Sequence, residues 1–229
     1  MQSIHRYLDH AVLKPELTRP EAQAAIELGI VHAVYSVCVR PADIPLAVEI
    51  CRNTTTAVGT VLNFPHGVGH PRGKSAEAQT YIALGVAEID MVVNYSLIRS
   101  GLWAEVAADI RAVSQHTRPA HVLLKVILET SELTPAQIRE ATEQAVNAEA
   151  DFVKTSTGFA SGSATEDAVR VMLETARGRI KVKSSGGIRD RARAELFLQM
   201  GCHRLGVNYS STPVICGAAT AASAGKGAY

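Results

Sequence analysis

Eight short apolar runs, separated by stretches of helical spacing, constrain this chain more than any other feature. They occupy residues 9–13 (DHAVL), 35–39 (YSVCV), 57–62 (AVGTVL), 88–94 (EIDMVVN), 121–129 (HVLLKVILE), 152–155 (FVKT), 180–185 (IKVKSS) and 203–207 (HRLGV). Helices are expected from Thr18 onward and over 41–52, 73–85, 102–116, 134–148, 165–177 and 189–200, with a short helix or strand start at 4–8. Thr18-Arg-Pro-Glu21 carries an N-cap, an early proline and a capping-box glutamate, and Thr134-Pro135 starts a helix in the same way. Strands that alternate with helices run parallel, because each crossover returns the chain to the same end of the sheet. Eight such units in 229 residues favour a closed (β/α)8 TIM barrel. An open doubly wound sheet is the alternative; it usually carries a glycine-rich first turn, and the N-terminal region has none.

No linker splits the sequence, so residues 1–229 are expected to form a single α/β domain. Residues 212–229 are rich in Ala and Gly, and from about residue 217 a flexible tail is expected. Apolar residues make up 47% of the chain, enough for a sizeable core. Basic and acidic residues number 23 and 22, without long runs of one sign, which argues against nucleic-acid and membrane-surface partners. No apolar stretch approaches the length of a membrane span, and the N-terminus lacks an apolar signal core. The four cysteines show no metal-ligand spacing, and buried free thiols in a reducing, cytoplasmic setting are the simplest expectation.

Within this frame several charges sit late in strands, among apolar neighbours. Strand residues alternate faces. Asp90, Val92 and Asn94 therefore share a face, as do Lys125, Ile127 and Glu129, Phe152 and Lys154, and Lys181, Lys183 and Ser185. If those faces point inward, the upper barrel holds Asp90, Lys125, Lys154 and Lys183, with Glu129 near the rim. Active groups of such barrels sit at the carboxyl ends of the strands. The alternative is that these lysines snorkel past the helices or form one structural salt-bridge network.

Lys154 opens into the Thr-Ser-Thr-Gly turn of FVKTSTGF (152–159). A lysine there is either a strand-end residue reaching for water or an amine nucleophile. As a nucleophile it has to shed its proton. A second lysine nearby, Lys183, and desolvation both disfavour the charged form. Asp90 is placed to move protons. A protonated imine is an electron sink, so carbon–carbon bonds beside a carbonyl can be made or broken with no cofactor and no metal.

SSGGI (184–188) leaves the strand of Lys183 for a helix, and two glycines there can turn amides toward an anion. Gly206, with Asn208 or the Ser210-Ser211 pair, supplies the eighth-strand side. The alternative for Gly-Gly is a tight turn without a ligand. His66, in the FPHG loop, either meets substrate or faces water.

DHAVLKP, SVCVRP, NFPHG, EIDMVVN, KVILET, FVKTSTGF, VKSSGGIR and GCHRLGVNYS occur in this order along nearly the whole chain. Through them the sequence resembles the deoxyribose-phosphate aldolase family, class I aldolases on a (β/α)8 barrel. The resemblance implies reversible cleavage of 2-deoxy-D-ribose 5-phosphate to acetaldehyde and D-glyceraldehyde 3-phosphate. It implies that Lys154 is the Schiff-base lysine, Lys183 the lysine that tunes it and Asp90 the proton-relay carboxylate. By the same resemblance Gly186, Gly187 and Gly206 are phosphate-binding backbone, with Thr157 beside the nucleophile and Cys38 near the pocket. Tyr229 resembles the terminal tyrosine that some members fold over the site. Sugar phosphate and aldehyde are then the partners. Barrel enzymes often dimerise, so a homodimer is one expectation for the assembly.

The chain departs from the family pattern at Ala11, where threonine is usual, and at Asn63 and Ser184, where glycine and alanine are usual. The turn after Gly206 reads Val207-Asn208-Tyr209 where threonine and serines are usual. These departures leave open an acceptor aldehyde without phosphate or of another length. A non-catalytic sugar-phosphate-binding barrel is the remaining rival.

Overall fold

A computed structural model describes residues 3–217. The expected tail beyond residue 217, Tyr229 included, lies outside the described residues. The strands are β1 (Leu8–Val12), β2 (Ser36–Val39), β3 (Ala57–Leu62), β4 (Glu88–Val92), β5 (Leu123–Ile127), β6 (Phe152–Lys154), β7 (Lys181–Ser185) and β8 (Arg204–Asn208). Each pairs in parallel with the next, and β8 pairs with β1, so the sheet closes into a barrel. The helices are α1 (Arg19–Val31), α2 (Ile44–Cys51), α3 (Pro71–Ala83), α4 (Tyr95–Arg99), α5 (Trp103–Thr117), α6 (Pro135–Asn147), α7 (Glu166–Ala176), α8 (Arg191–Met200) and α9 (Thr212–Ile215).

Local chemistry sets the boundaries. Glu21 accepts the Thr18 amide at 2.8 Å, and Gln137 accepts the Thr134 amide at 2.9 Å, so both expected capping residues are in place. Asp190 caps α8 by accepting the Arg193 amide at 2.8 Å, which starts that helix at Arg191 rather than residue 189. His70 caps α3, moving its start to Pro71 rather than residue 73. β5 is shorter than its apolar run, because His121 and Glu129 adopt left-handed backbone at φ 55° and 56°. The helical pattern over 41–52 divides into a 3-10 turn, Pro41–Asp43, followed by α2.

The barrel has two kinds of interior. Outward-facing strand residues, among them Ile89, Met91, Leu124, Val126, Val182 and Leu205, pack against the helices in one continuous apolar layer. Each such aliphatic side chain contributes about 1.5–3 kcal/mol by leaving water. Ala11, Leu13, Cys38 and Val61, with Phe64, form a separate small apolar cluster. The rest of the barrel lumen is largely charged. One buried ion pair also ties helices to sheet: Lys74 of α3 donates to Asp109 of α5 at 2.6 Å and to the Val92 carbonyl at 2.9 Å, at the end of β4. Among the described residues, no helix is long and apolar enough to cross a membrane.

Candidate active site

The register of the strands decides which charges meet. Asp90 is paired with Lys125 across β4 and β5, and Lys154 with Lys183 across β6 and β7. All four side chains point into the lumen and are about 1% exposed. Lys154 Nζ donates to Asp90 Oδ2 at 2.8 Å, and Lys183 Nζ donates to the same oxygen at 2.7 Å. Lys125 Nζ donates to Asp90 Oδ1 at 2.9 Å. The three residues singled out as catalytic, Lys154, Lys183 and Asp90, are thus brought together. One carboxylate oxygen is shared by two amines on neighbouring strands.

Three further charges complete the cluster, and the pattern reading did not single them out. Asp9 of β1 accepts Lys183 Nζ at 2.5 Å, Arg204 Nη1 at 2.6 Å and the Ser36 hydroxyl at 2.7 Å. Glu88 of β4 accepts Lys125 Nζ at 2.7 Å and Arg204 Nη1 at 3.1 Å. The Arg204 guanidinium lies 3.4 Å from the centroid of the Tyr35 ring. Parity carried a signal for two of them: Glu88 lies two residues before Asp90, and Arg204 two before Gly206, on the same faces. Lys181, expected on the Lys183 face, is exposed at the opposite end of the strand, with its amine 5.4 Å from the centroid of the Phe152 ring.

Electrostatics follows from this packing. Burial alone would push the Asp90 carboxyl up, but Lys125, Lys154 and Lys183 beside it hold it well below the ordinary carboxylate range. Asp9 is lowered in the same way, against burial, by Lys125, Lys183 and Arg204. Burial disfavours the charge on Lys125, yet Asp9, Asp90 and Glu88 outweigh it and raise that amine well above its ordinary value. Asp90 therefore rests as an anion, and Lys125 as a fixed cation.

The other expected site residues fall around this centre. Cys38 faces the lumen from β2, and burial pushes its thiol up to about 12, so it forms a neutral wall rather than a nucleophile. The Thr157 hydroxyl donates to Glu129 Oε2 at 2.5 Å and accepts the Phe159 amide at 3.0 Å. Glu129 is buried in a left-handed conformation, and burial raises its carboxyl despite the Thr157 hydrogen bonds. It holds the Thr-Ser-Thr-Gly turn from the neighbouring strand end. Phe159 meets Phe64 edge-on, with ring centroids 5.1 Å apart. His66 is exposed and lines a cleft with Phe64 and Tyr81.

Gly186 and Gly187 have φ of 90° and 75°, the left-handed region that side chains rarely adopt. They stand four or more residues before Arg191, the first residue of α8, and Asp190 supplies that helix's cap. Any anion held there meets loop amides rather than the first turn of the helix. At Gly206 an added Cβ would lie 2.5 Å from Ser185 Oγ and 3.2 Å from Lys183 Cε. Glycine there lets the Lys183 stem pass. The Asn208 side-chain carbonyl accepts the Ser210 amide and hydroxyl at 2.9 and 2.8 Å, so of its polar side-chain groups the amide nitrogen is the one turned to neither.

Comparison with known proteins agrees with this arrangement. The chain is 43% identical over 209 residues to deoxyribose-phosphate aldolase of Corynebacterium diphtheriae, covering 91% of this chain and 94% of that one. It is 42% identical over 206 residues to deoxyribose-phosphate aldolase of Deinococcus radiodurans, covering 90% and 93%. Among solved structures, the aldolase QR15 superposes with a TM-score of 0.88 at 35% identity, over 94% and 95% of the two chains. A structure described as a putative deoxyribose-phosphate aldolase of Coccidioides immitis gives 0.87 at 32% identity, over 90% of this chain and 83% of that one. The family profile of the DeoC/LacD aldolases matches residues 6–203. A match of that extent, on a closed barrel with its lysines directed inward, means that this chain belongs to the DeoC/LacD aldolase family.

Proposed function

We propose that the protein is a class I aldolase that reversibly cleaves 2-deoxy-D-ribose 5-phosphate to acetaldehyde and D-glyceraldehyde 3-phosphate, with Lys154 as the imine-forming lysine. One observation carries this reading: Lys154 and Lys183, both buried, donate to Asp90 Oδ2 inside the lumen. Lys154 sheds its proton toward solvent, relayed along the hydrogen bonds it shares with Asp90 and Lys183, and its free amine attacks C1 of the open-chain sugar. The carbinolamine loses water and leaves a protonated imine. The C3 hydroxyl then gives up its proton, the C2–C3 bond breaks, and its electron pair flows into the imine nitrogen. D-glyceraldehyde 3-phosphate departs and an enamine remains. Protonation of the enamine carbon and hydrolysis release acetaldehyde and the free amine. Asp90 and Lys183 handle these protons, since they already share a hydrogen bond with Lys154.

The amides of Gly186, Gly187 and Gly206, with the Asn208 side chain, are assigned to the phosphate end. Cys38 and Thr157 shape the pocket, Thr157 through the turn it fixes. The reading extends to a cytoplasmic homodimer acting on small molecules. The four free cysteines suit a reducing compartment, and sedimentation velocity checks the dimer. Incubation with acetaldehyde and borohydride, followed by intact-mass analysis and peptide mapping, should place one ethyl adduct on Lys154. Absence of the adduct, or full activity in Lys154→Leu, refutes the mechanism.

The Val207-Asn208-Tyr209 turn favours a second reading, in which the acceptor lacks phosphate or differs in length. Comparing kcat/KM for phosphorylated and unphosphorylated deoxyribose decides between them, and strong phosphate preference eliminates the second.

A further inference from the structure

Two residues beyond Lys183, on the same inward face of β7, stands Ser185. Its side chain is fully buried, and among the described residues its hydroxyl has no hydrogen-bond partner. Its position is fixed from both sides. The Ser185 backbone is held by Thr155: its amide donates to Thr155 Oγ1 at 3.0 Å, and its carbonyl accepts that same hydroxyl at 3.0 Å. The side chain lies against the inner face of β8, where its Oγ and Lys183 Cε both crowd the glycine at 206. The next two positions are Gly186 and Gly187. Ser156, two residues beyond Lys154, is likewise buried with an unpartnered hydroxyl, and its Cβ lies 3.5 Å from where a Cβ on Gly186 would sit. Ser184 also lacks a partner, but parity turns it away from the lumen, so it belongs to a different environment.

A buried hydroxyl without a partner is costly, because it forfeits its hydrogen bonds to water. Substrate can supply the missing one. The reading above puts the imine carbon at Lys154 and the phosphate at the glycine amides, and this inference rests on that reading. The C3 hydroxyl must lie near Asp90 and Lys183 to lose its proton. The hydroxyl between C3 and the phosphate is the one at C4. Ser185 is one strand step, about 6–7 Å, past Lys183 and immediately before the glycines. We infer that Ser185 Oγ binds the C4 hydroxyl of the sugar phosphate, which is the C2 hydroxyl of the incoming D-glyceraldehyde 3-phosphate. Ser185 is then a specificity-determining residue that selects acceptors carrying a hydroxyl beside the carbonyl.

The test compares two acceptors in the synthetic direction, D-glyceraldehyde 3-phosphate and 3-phosphooxypropanal, which differ by that one hydroxyl. The wild-type enzyme should prefer the hydroxylated acceptor by about tenfold in kcat/KM. In Ser185→Ala the preference should fall close to one, while acetaldehyde and borohydride still label Lys154 at the wild-type rate. Acetaldehyde lacks the hydroxyl, so a purely structural lesion would slow labelling and both acceptors together. An equal loss for both acceptors, an unchanged preference in Ser185→Ala, or no preference in the wild type overturns the assignment while the Lys154 label stands. Failure to label wild-type Lys154 overturns the Schiff-base reading and this assignment with it.

Discussion

Asp9→Asn probes the charge cluster at a residue that does no chemistry of its own. Asp9 is 1% exposed and takes hydrogen bonds from Lys183, Arg204 and Ser36, with Lys125 a further 3.4 Å away. The amide keeps the shape but removes the charge. It also turns an NH2 group toward at least one donor, so a donor faces a donor. Breaking one side of a buried ionic set costs about 3–5 kcal/mol. For a domain of this size, each kcal/mol is worth about 2–4 °C in Tm, so a fall of about 6–20 °C is expected. Lys183 loses one of its two carboxylates and its hold on the catalytic geometry, and kcat should drop about 10- to 100-fold. The pH dependence adds a signature. The Asp9 carboxyl is lowered in the folded protein, so its stabilisation is complete above the ordinary carboxylate value of about 3.9. It is lost as pH falls from there through the lower folded value. Denaturant melts of wild type and variant should differ by a constant amount at neutral pH, and the gap should begin to narrow only as pH falls below about 4. A Tm within about 2 °C of wild type, together with kcat within about twofold, would refute the view that these carboxylates hold the lysines in place.

Gly206→Ala forces a Cβ against Ser185 Oγ at 2.5 Å and Lys183 Cε at 3.2 Å, so it should cost about 1–3 kcal/mol in denaturant stability and lower kcat more than it raises KM. Unchanged kcat would show that the Lys183 stem has room to spare. His10 is buried, donates from Nε2 to the Ala25 carbonyl at 2.8 Å and accepts the Thr212 hydroxyl at Nδ1 at 2.8 Å. Burial lowers its pKa from 6.5 to about 4, outweighing the Ala25 hydrogen bond that raises it. Stability from the neutral ring is complete above the unfolded value and is lost as pH falls through the folded one, about 3 kcal/mol in all. The His10 ring resonance in NMR should titrate near pH 4, and a midpoint near 6.5 contradicts the buried neutral ring.

The barrel was legible because its signal is redundant. Apolar strand runs recur between helical stretches, and Thr18 and Thr134 mark helix starts with side chains that satisfy orphan amides. The shared face of Asp90, Lys125 and Lys154 follows from strand parity, which survives small errors in strand ends. Boundaries were less legible where one backbone angle decides them. Nothing in HVLLKVILE announces that His121 and Glu129 leave the β region, and α4 is too short to show a period. The phosphate end was read as glycines opening a helix, whereas the Asp190 cap sets that helix start at Arg191, four residues past Gly187.

The sequence by itself determined that eight parallel strands form, and which side of several of them carries charge, because both depend on local periodicity. Closure decided the rest. Only when β8 pairs with β1 does Arg204 reach Asp9, 195 positions away in sequence, and only then does Lys183 lie between Asp9 and Asp90. Those contacts are long-range, so no spacing in the chain encodes them. The energy of the cluster is Coulombic and set by distance in a buried lumen, which exists only once the barrel has closed.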